Sequence, residues 1–138
     1  TILGLNVESP LDSQQRNPIV FCGRLNQPMS FDNFSQHINQ KLKRMPLGIK
    51  GASEKIEKIA WCTGAAQNFI ELAVAAGVDA YLTGEVSEQT VHIAREAGLH
   101  FFSAGHHATE RYGVQAVGNY LSEKFSIQHE FIDIENPV

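Results

Sequence analysis

His106 and Glu110 stand four residues apart in the run AGHHATE, directly after the apolar stretch LHFF. If a helix starts near His106, that spacing stacks imidazole and carboxylate on one face, one turn apart. A neutral imidazole nitrogen and a carboxylate oxygen are both ligands for a divalent ion, so the pair reads as part of a metal site. The plainer alternative is a helix start with a solvated histidine and a first-turn acid favoured by the helix dipole. His107 points about 100° away round such a helix, and its own i+4 neighbour, Arg111, is a poor co-ligand. Two ligands do not complete a catalytic centre, which normally takes about three from the protein.

Other side chains offer weaker chemistry. Glu85, in TGEV, reads three ways: a ligand, an acceptor fixing a ligating histidine, or a solvated loop acid. Cys62 and His106 could meet as a nucleophile and its base, but no cation lies near Cys62 in sequence to lower the thiol pKa. Thr63-Gly64-Ala65-Ala66 could seat a phosphate at a following helix start, without a full glycine-rich signature. His92 reads as a half-buried structural residue, Trp61 as core, and His37, His100 and His129 form no constellation.

The elements that must position these groups follow a regular rhythm from Ile56 onward. KIAWC is a strand, followed by a helix carrying Ala66, Phe69, Ile70, Ala73 and Val74 on one stripe and stopped by Gly77. VDAYL is the next strand; Ser87 caps a second helix that Gly98 ends. LHFFSA leads into a third helix, with Val114, Val117, Tyr120 and Leu121 expected to face inward, and IQHEFIDI reads as a closing strand. Alternating strands and helices of this kind build crossover units on a mixed, largely parallel sheet with helices on its faces. Ligands in such α/β sheets gather outside the carboxyl ends of the strands. Thr63-Gly64, Thr83-Gly84-Glu85 and Ala104-Gly105-His106 are therefore expected to converge on one edge.

The first 50 residues are less regular. Ile2–Val7 and Ile19–Leu25 read as strands, 9–18 as loop, and Ser30 as the cap of an amphipathic helix with Phe31, Phe34, Ile38 and Leu42 on its stripe. The cluster Lys41, Lys43 and Arg44 reads as the end of that helix. Four of the five prolines precede residue 47, so the chain changes character at Pro46–Gly51, read as a linker or long turn.

Composition narrows the function classes. At 138 residues with 43% hydrophobic and 19% charged residues, the chain fits one globular domain with a real core. A formal charge of -4 argues against a general nucleic-acid or membrane surface. No apolar run is long enough for a bilayer span and none has signal-peptide layout. Two cysteines in apolar contexts, Cys22 and Cys62, make no disulfide framework, which favours a reducing cytoplasm. The opening TILGLNVE lacks an initiator methionine and reads as processed or as a piece of something longer.

Several stretches together carry a specific resemblance. TGE, AGHHATE and the terminal FIDIENPV occur in the order and spacing of the YbgI-type proteins, the GTP cyclohydrolase I type 2 homologues. The whole run from Ile59 to Arg111 resembles their C-terminal half, and CGRLNQPMSFDNFSQHINQKL their central segment. The resemblance implies a di-metal family whose two halves repeat one α/β unit and whose subunits form ring-shaped homohexamers. It implies that residues 1–50 are the central segment and 51–138 the C-terminal α/β unit of a longer protein. The absent half would carry a paired-histidine motif and an aspartate, completing two metal sites in each full-length subunit.

Carried over by position, the family's C-terminal ligands fall on His106 and Glu110, with Glu85 beside them as an acceptor for a ligating imidazole. Many relatives carry tyrosine at the position of His107, histidine at that of Gln89 and aspartate at that of Glu85. The implied function is a metal-activated water acting on a nucleotide-like substrate, with zinc, iron or manganese as the ion. A non-catalytic, metal-binding oligomeric scaffold is the alternative. The site is expected to be incomplete in this chain alone.

Overall fold

The computed structural model describes residues 1–137. Six strands form one sheet in the order β1-β2-β4-β5-β6-β3. They are β1 (Asn6–Pro10), β2 (Phe21–Met29), β3 (Leu47–Ile49), β4 (Ile56–Trp61), β5 (Ala80–Thr83) and β6 (His100–Ser103). The four α-helices are α1 (Phe31–Leu42), α2 (Ile70–Ala75), α3 (Glu88–Ala97) and α4 (His106–Phe125). The fold is mixed α/β. Its parallel part is the block β4-β5-β6, and β1, β2 and β3 join by antiparallel pairing.

Alternating side chains along the strands build a core on each face. Ala60, Tyr81 and Phe101, in register across β4, β5 and β6, face α2 and α3 with Ile70, Ala73 and Ala94. Their neighbours Ile59, Ala80, Leu82 and Phe102 face Phe34, Ile38 and Leu42 of α1 on the other side. The expected apolar stripe of α1 is therefore its buried face, and Ser30 caps it by accepting the Asn33 N–H at 3.2 Å. Ser87 likewise caps α3, and Gly98 ends it in the left-handed conformation that glycine tolerates.

The structure corrects several expectations. Strand β1 runs through Pro10, into the stretch expected as loop, and Pro46–Gly51 contains β3, which covers the edge of β6. The helix expected from Ala66 is a 3-10 turn, Gln67–Phe69, followed by six α-helical residues, and Val74 is exposed. Residues 127–137 form no strand: they are held at the start of α4 instead, where Asp133 bonds His107 and Arg111, and Ile132 and Ile134 are exposed. Val114, Val117, Tyr120 and Leu121 also point outward, because α1 already covers that face of the sheet. Ala108, near its start, is the buried residue of α4. His92 is solvent-facing, 3.9 Å from Glu88 one turn away. His100 is fully buried; its Nδ1 accepts the Gly51 N–H (2.8 Å) and its Nε2 donates to the Ser53 carbonyl (2.9 Å). It thereby fixes the segment entering β4. Among the described residues no helix is long and apolar enough to cross a membrane.

Candidate metal centre

The three strand ends meet, as the topology requires. Backbone pairing continues past the strands: Cys62 N–H donates to Leu82 O (3.0 Å), Gly84 N–H to Gly64 O (3.0 Å) and Gly105 N–H to Gly84 O (2.8 Å). This ladder brings Gly64, Glu85 and the start of α4 to one edge.

His106 opens α4, and both of its ring nitrogens face carboxylates. Nδ1 donates to Glu85 Oε1 at 2.7 Å, and Nε2 lies 3.1 Å from Glu110 Oε2. The Glu85 bond fixes which nitrogen carries a proton when the ring is neutral, leaving the Nε2 lone pair directed at Glu110. Of the three readings of Glu85, the geometry fits the acceptor that orients the ring. Among the described residues no three His, Cys, Asp or Glu side chains form a group that could hold a metal ion. The cause is visible in the triad itself, since Glu85 holds the ring nitrogen opposite to the one that Glu110 faces.

The gap beside that nitrogen is kept open by backbone. Gly64 has φ +66°, and a Cβ there would overlap the Glu110 carboxylate and stand 3.1 Å from His106 Nε2. Its peptide is pinned from both sides. Thr109 Oγ1 accepts the Gly64 N–H at 3.0 Å while donating back to Gly105 O at 2.9 Å; buried Thr83 Oγ1 donates to Gly64 O at 3.1 Å. The sequence places Gly64 and Thr83 at this edge without these roles, and it does not single out Thr109. Motif reading looks for ligands, whereas these residues shape the space, and the Thr-Gly steps at 63–64 and 83–84 were the one hint at them.

A histidine nitrogen, a carboxylate and a side-chain-free gap fit two donors of a divalent-ion site, with Glu85 orienting the ring. Other candidates do not fit their proposed chemistry. The Gly64 N–H of the candidate phosphate seat is taken by Thr109, and only a 3-10 turn follows it. Burial, with the Asp12 and Glu110 charges, pushes the Cys62 thiol up, so it is held protonated and is a poor nucleophile. His107 turns away, as its helical position implies, and its Nε2 donates to Asp133 Oδ1 at 2.8 Å.

The bond to Glu85 raises the His106 pKa above its ordinary value of 6.5; desolvation opposes it, and the Glu110 charge adds to it. In the metal-free chain His106 should therefore titrate above 6.5 in a proton NMR pH series, and Glu85→Gln should move it back down. A pKa raised on folding adds stability that is fully present below the unfolded value and is lost as pH rises through the folded one. The ring is 40% exposed, so solvent keeps that contribution small.

The chain matches the Duf34/NIF3 (NGG1p interacting factor 3) family over residues 1–137. It is 57% identical over 135 residues to a Pseudomonas aeruginosa protein named GTP cyclohydrolase 1 type 2 homolog, covering 98% of this chain and 53% of that one. A Vibrio cholerae protein of the same name is 45% identical over 138 residues, covering 99% of this chain and 54% of that one. A solved structure described as "Structural genomics, protein ybgI, unknown function" superposes with a TM-score of 0.92 at 45% identity, over 99% of this chain and 54% of the other. TTHA1606 from Thermus thermophilus, at 24% identity and a TM-score of 0.76, covers 99% of this chain and 53% of its own, and shares the fold. The chain spans about half the length of the curated relatives it matches. Sequence, fold and family model agree that the chain belongs to the Duf34/NIF3 family of GTP cyclohydrolase 1 type 2 homologues.

Proposed function

We propose that this chain supplies part of a di-metal hydrolase centre acting on a nucleotide-like small molecule. The observation that carries the reading is His106 Nε2 facing Glu110 across the gap that Gly64 keeps open. Glu110 and His106 Nε2 would hold the ion, and Glu85 would keep the proton on Nδ1. When bound, divalent ions supply Lewis acidity that activates water and polarises the group under attack. Zinc, iron or manganese suits this nitrogen and oxygen donor set. The other donors come from chain beyond these 138 residues, in a toroidal homohexamer of the family-length protein. The cytoplasm suits its two free thiols, Cys22 and Cys62.

A second reading, a non-catalytic metal-binding scaffold, draws on the outward apolar side chains of α4, Val114, Val117, Tyr120 and Phe125. One experiment separates the two. In the family-length protein, His106→Ala and Glu110→Ala should each lower bound metal, read by elemental analysis, and abolish hydrolysis across a nucleotide panel. Metal loss with hydrolysis or cellular function retained would favour the scaffold. Full metal content in both variants would sink the metal assignment itself. The 138-residue chain alone is expected to release its metal to a chelator.

A further inference from the structure

We propose that the basic pocket between the end of α1 and the start of α4 binds the phosphate group of a small-molecule ligand. In the free protein the carboxylate of Asp133 takes that group's place. The pocket has a volume of about 350 Å³ and is lined by Lys43, Arg44, His107, Arg111 and the tail residues Asp133 and Glu135, among others.

Asp133 shows what the pocket selects. Its Oδ1 accepts from His107 Nε2 at 2.8 Å and its Oδ2 from an Arg111 guanidinium N–H at 2.9 Å. Two oxygens of one anion thus meet two converging donors, the arrangement that recognises carboxylates and phosphates alike. The donors are held in place. Arg111 also donates to Leu42 O at 2.6 Å and its guanidinium lies 5.4 Å from the Tyr112 ring centroid; its side chain is only 16% exposed.

Among the described residues, charge in the pocket exceeds what the tail supplies. Lys43, Arg44 and Arg111 are permanent cations, against the carboxylates of Asp133 and Glu135. Lys43 makes no ion pair among the described residues. Arg44 donates to two neutral carbonyls, Asn136 O at 3.2 Å and Pro137 O at 2.6 Å. Both carboxylates belong to the tail, so its departure would leave three cations facing an empty pocket. A phosphate offers more charge and one more acceptor oxygen than a carboxylate.

The tail is built to be displaced. Residues 127–137 have no regular secondary structure, and Ile132 and Ile134 are 74% and 75% exposed, so little apolar burial holds them down. Polar contacts do that work: the half-exposed Asp133 carboxylate, whose ion pairs are weak and salt-sensitive, the Arg44 bonds to Asn136 O and Pro137 O, and the Ser122 bond to Ile127 O.

The pocket also adjoins the candidate metal centre. Arg44 packs on the backbone of Gly105, where a Cβ would come within 2.6 Å of its Nε, and it lines a second cavity together with Glu85. A phosphate held here would leave the rest of its ligand room to extend past Arg44 into that second cavity, beside Glu85. The proposal deepens the nucleotide-like substrate reading, yet the two can fail separately. Phosphate affinity is measured on the metal-free chain, and metal content on the family-length protein.

The test is calorimetric titration of the chelator-treated chain with inorganic phosphate and with a phosphate monoester at low ionic strength. Arg111→Gln should weaken binding by about tenfold or more, the loss of a charge-assisted bond. Asp133→Asn should tighten it by roughly fivefold, because a competing occupant has been removed. Lys43→Gln, which removes no ion pair or side-chain hydrogen bond among the described residues, should weaken it by about twofold. Phosphate should also speed proteolysis within residues 127–137. Equal affinity for anion and ester, or a gain for the ester, both support the site and tell a free anion from an esterified ligand. Binding that is absent, that ignores Lys43→Gln, or that weakens in a folded Asp133→Asn variant would overturn the proposal.

Discussion

Gly64→Ala is expected to abolish metal retention in the family-length protein while leaving every candidate ligand in place. Two effects act together. The added Cβ would overlap the Glu110 carboxylate and crowd His106 Nε2. The residue would also have to hold φ +66°, which costs an L-residue about 1–2 kcal/mol. Backbone relief is blocked, because the Gly64 peptide is held by Thr109 on one side and by Thr83 and Gly84 on the other. Loss of an outer partner of a metal ligand typically costs about 10–100-fold in affinity. Displacing a ligand itself should exceed that. Isothermal titration against Glu85→Gln, which removes only the outer partner, gives the comparison. Equal losses in the two variants would mean that Glu110 is not a ligand.

Phe34→Ala is expected to be the most destabilising single truncation on the α1 face, by about 3–5 kcal/mol. Phe34 is fully buried and meets Phe102 edge-on, with ring centroids 5.1 Å apart; Phe31 stacks on the same ring at 5.0 Å. Ile38 and Leu42 continue the contact along α1, so the cavity would open at the centre of that packing rather than at its margin. The consequence reaches the site, since the end of α1 provides Leu42 O to Arg111 and Lys41 O to Tyr112 of α4. Urea denaturation should show a lower midpoint with an unchanged slope. A midpoint shift worth less than about 1 kcal/mol would mean that the helix repacks over the gap.

Much of the fold was legible because it is written locally. The caps Ser30 and Ser87, the stop at Gly98 and the stripe Phe34-Ile38-Leu42 each depend on neighbours within a turn or two, and all hold in the structure. The failures share one cause as well. α4 carries apolar residues at helical spacing, but spacing does not say whether a surface is available to receive them, and α1 had already taken it. IQHEFIDI alternates like a strand, yet alternation names no partner, and the stretch lies against α4 instead, where Asp133 meets His107 and Arg111. Pro46–Gly51 looked like punctuation, and became β3 because β6 offered an unpaired edge.

The candidate site divides the same way. Sequence alone determined that His106 and Glu110 share a helix face, that His107 turns away from them, and that three strand ends carry the polar residues to one edge. Helical and sheet periodicity fix these from short-range geometry. Only the tertiary structure decided that Glu85 binds the far nitrogen of His106, that Gly64 holds the gap open, and that Thr83 and Thr109 pin it. It also decided that Asp133 lies between His107 and Arg111. Each of these contacts joins residues about 20 to 45 positions apart. Which residues meet across such distances depends on sheet order and register, which no local pattern encodes.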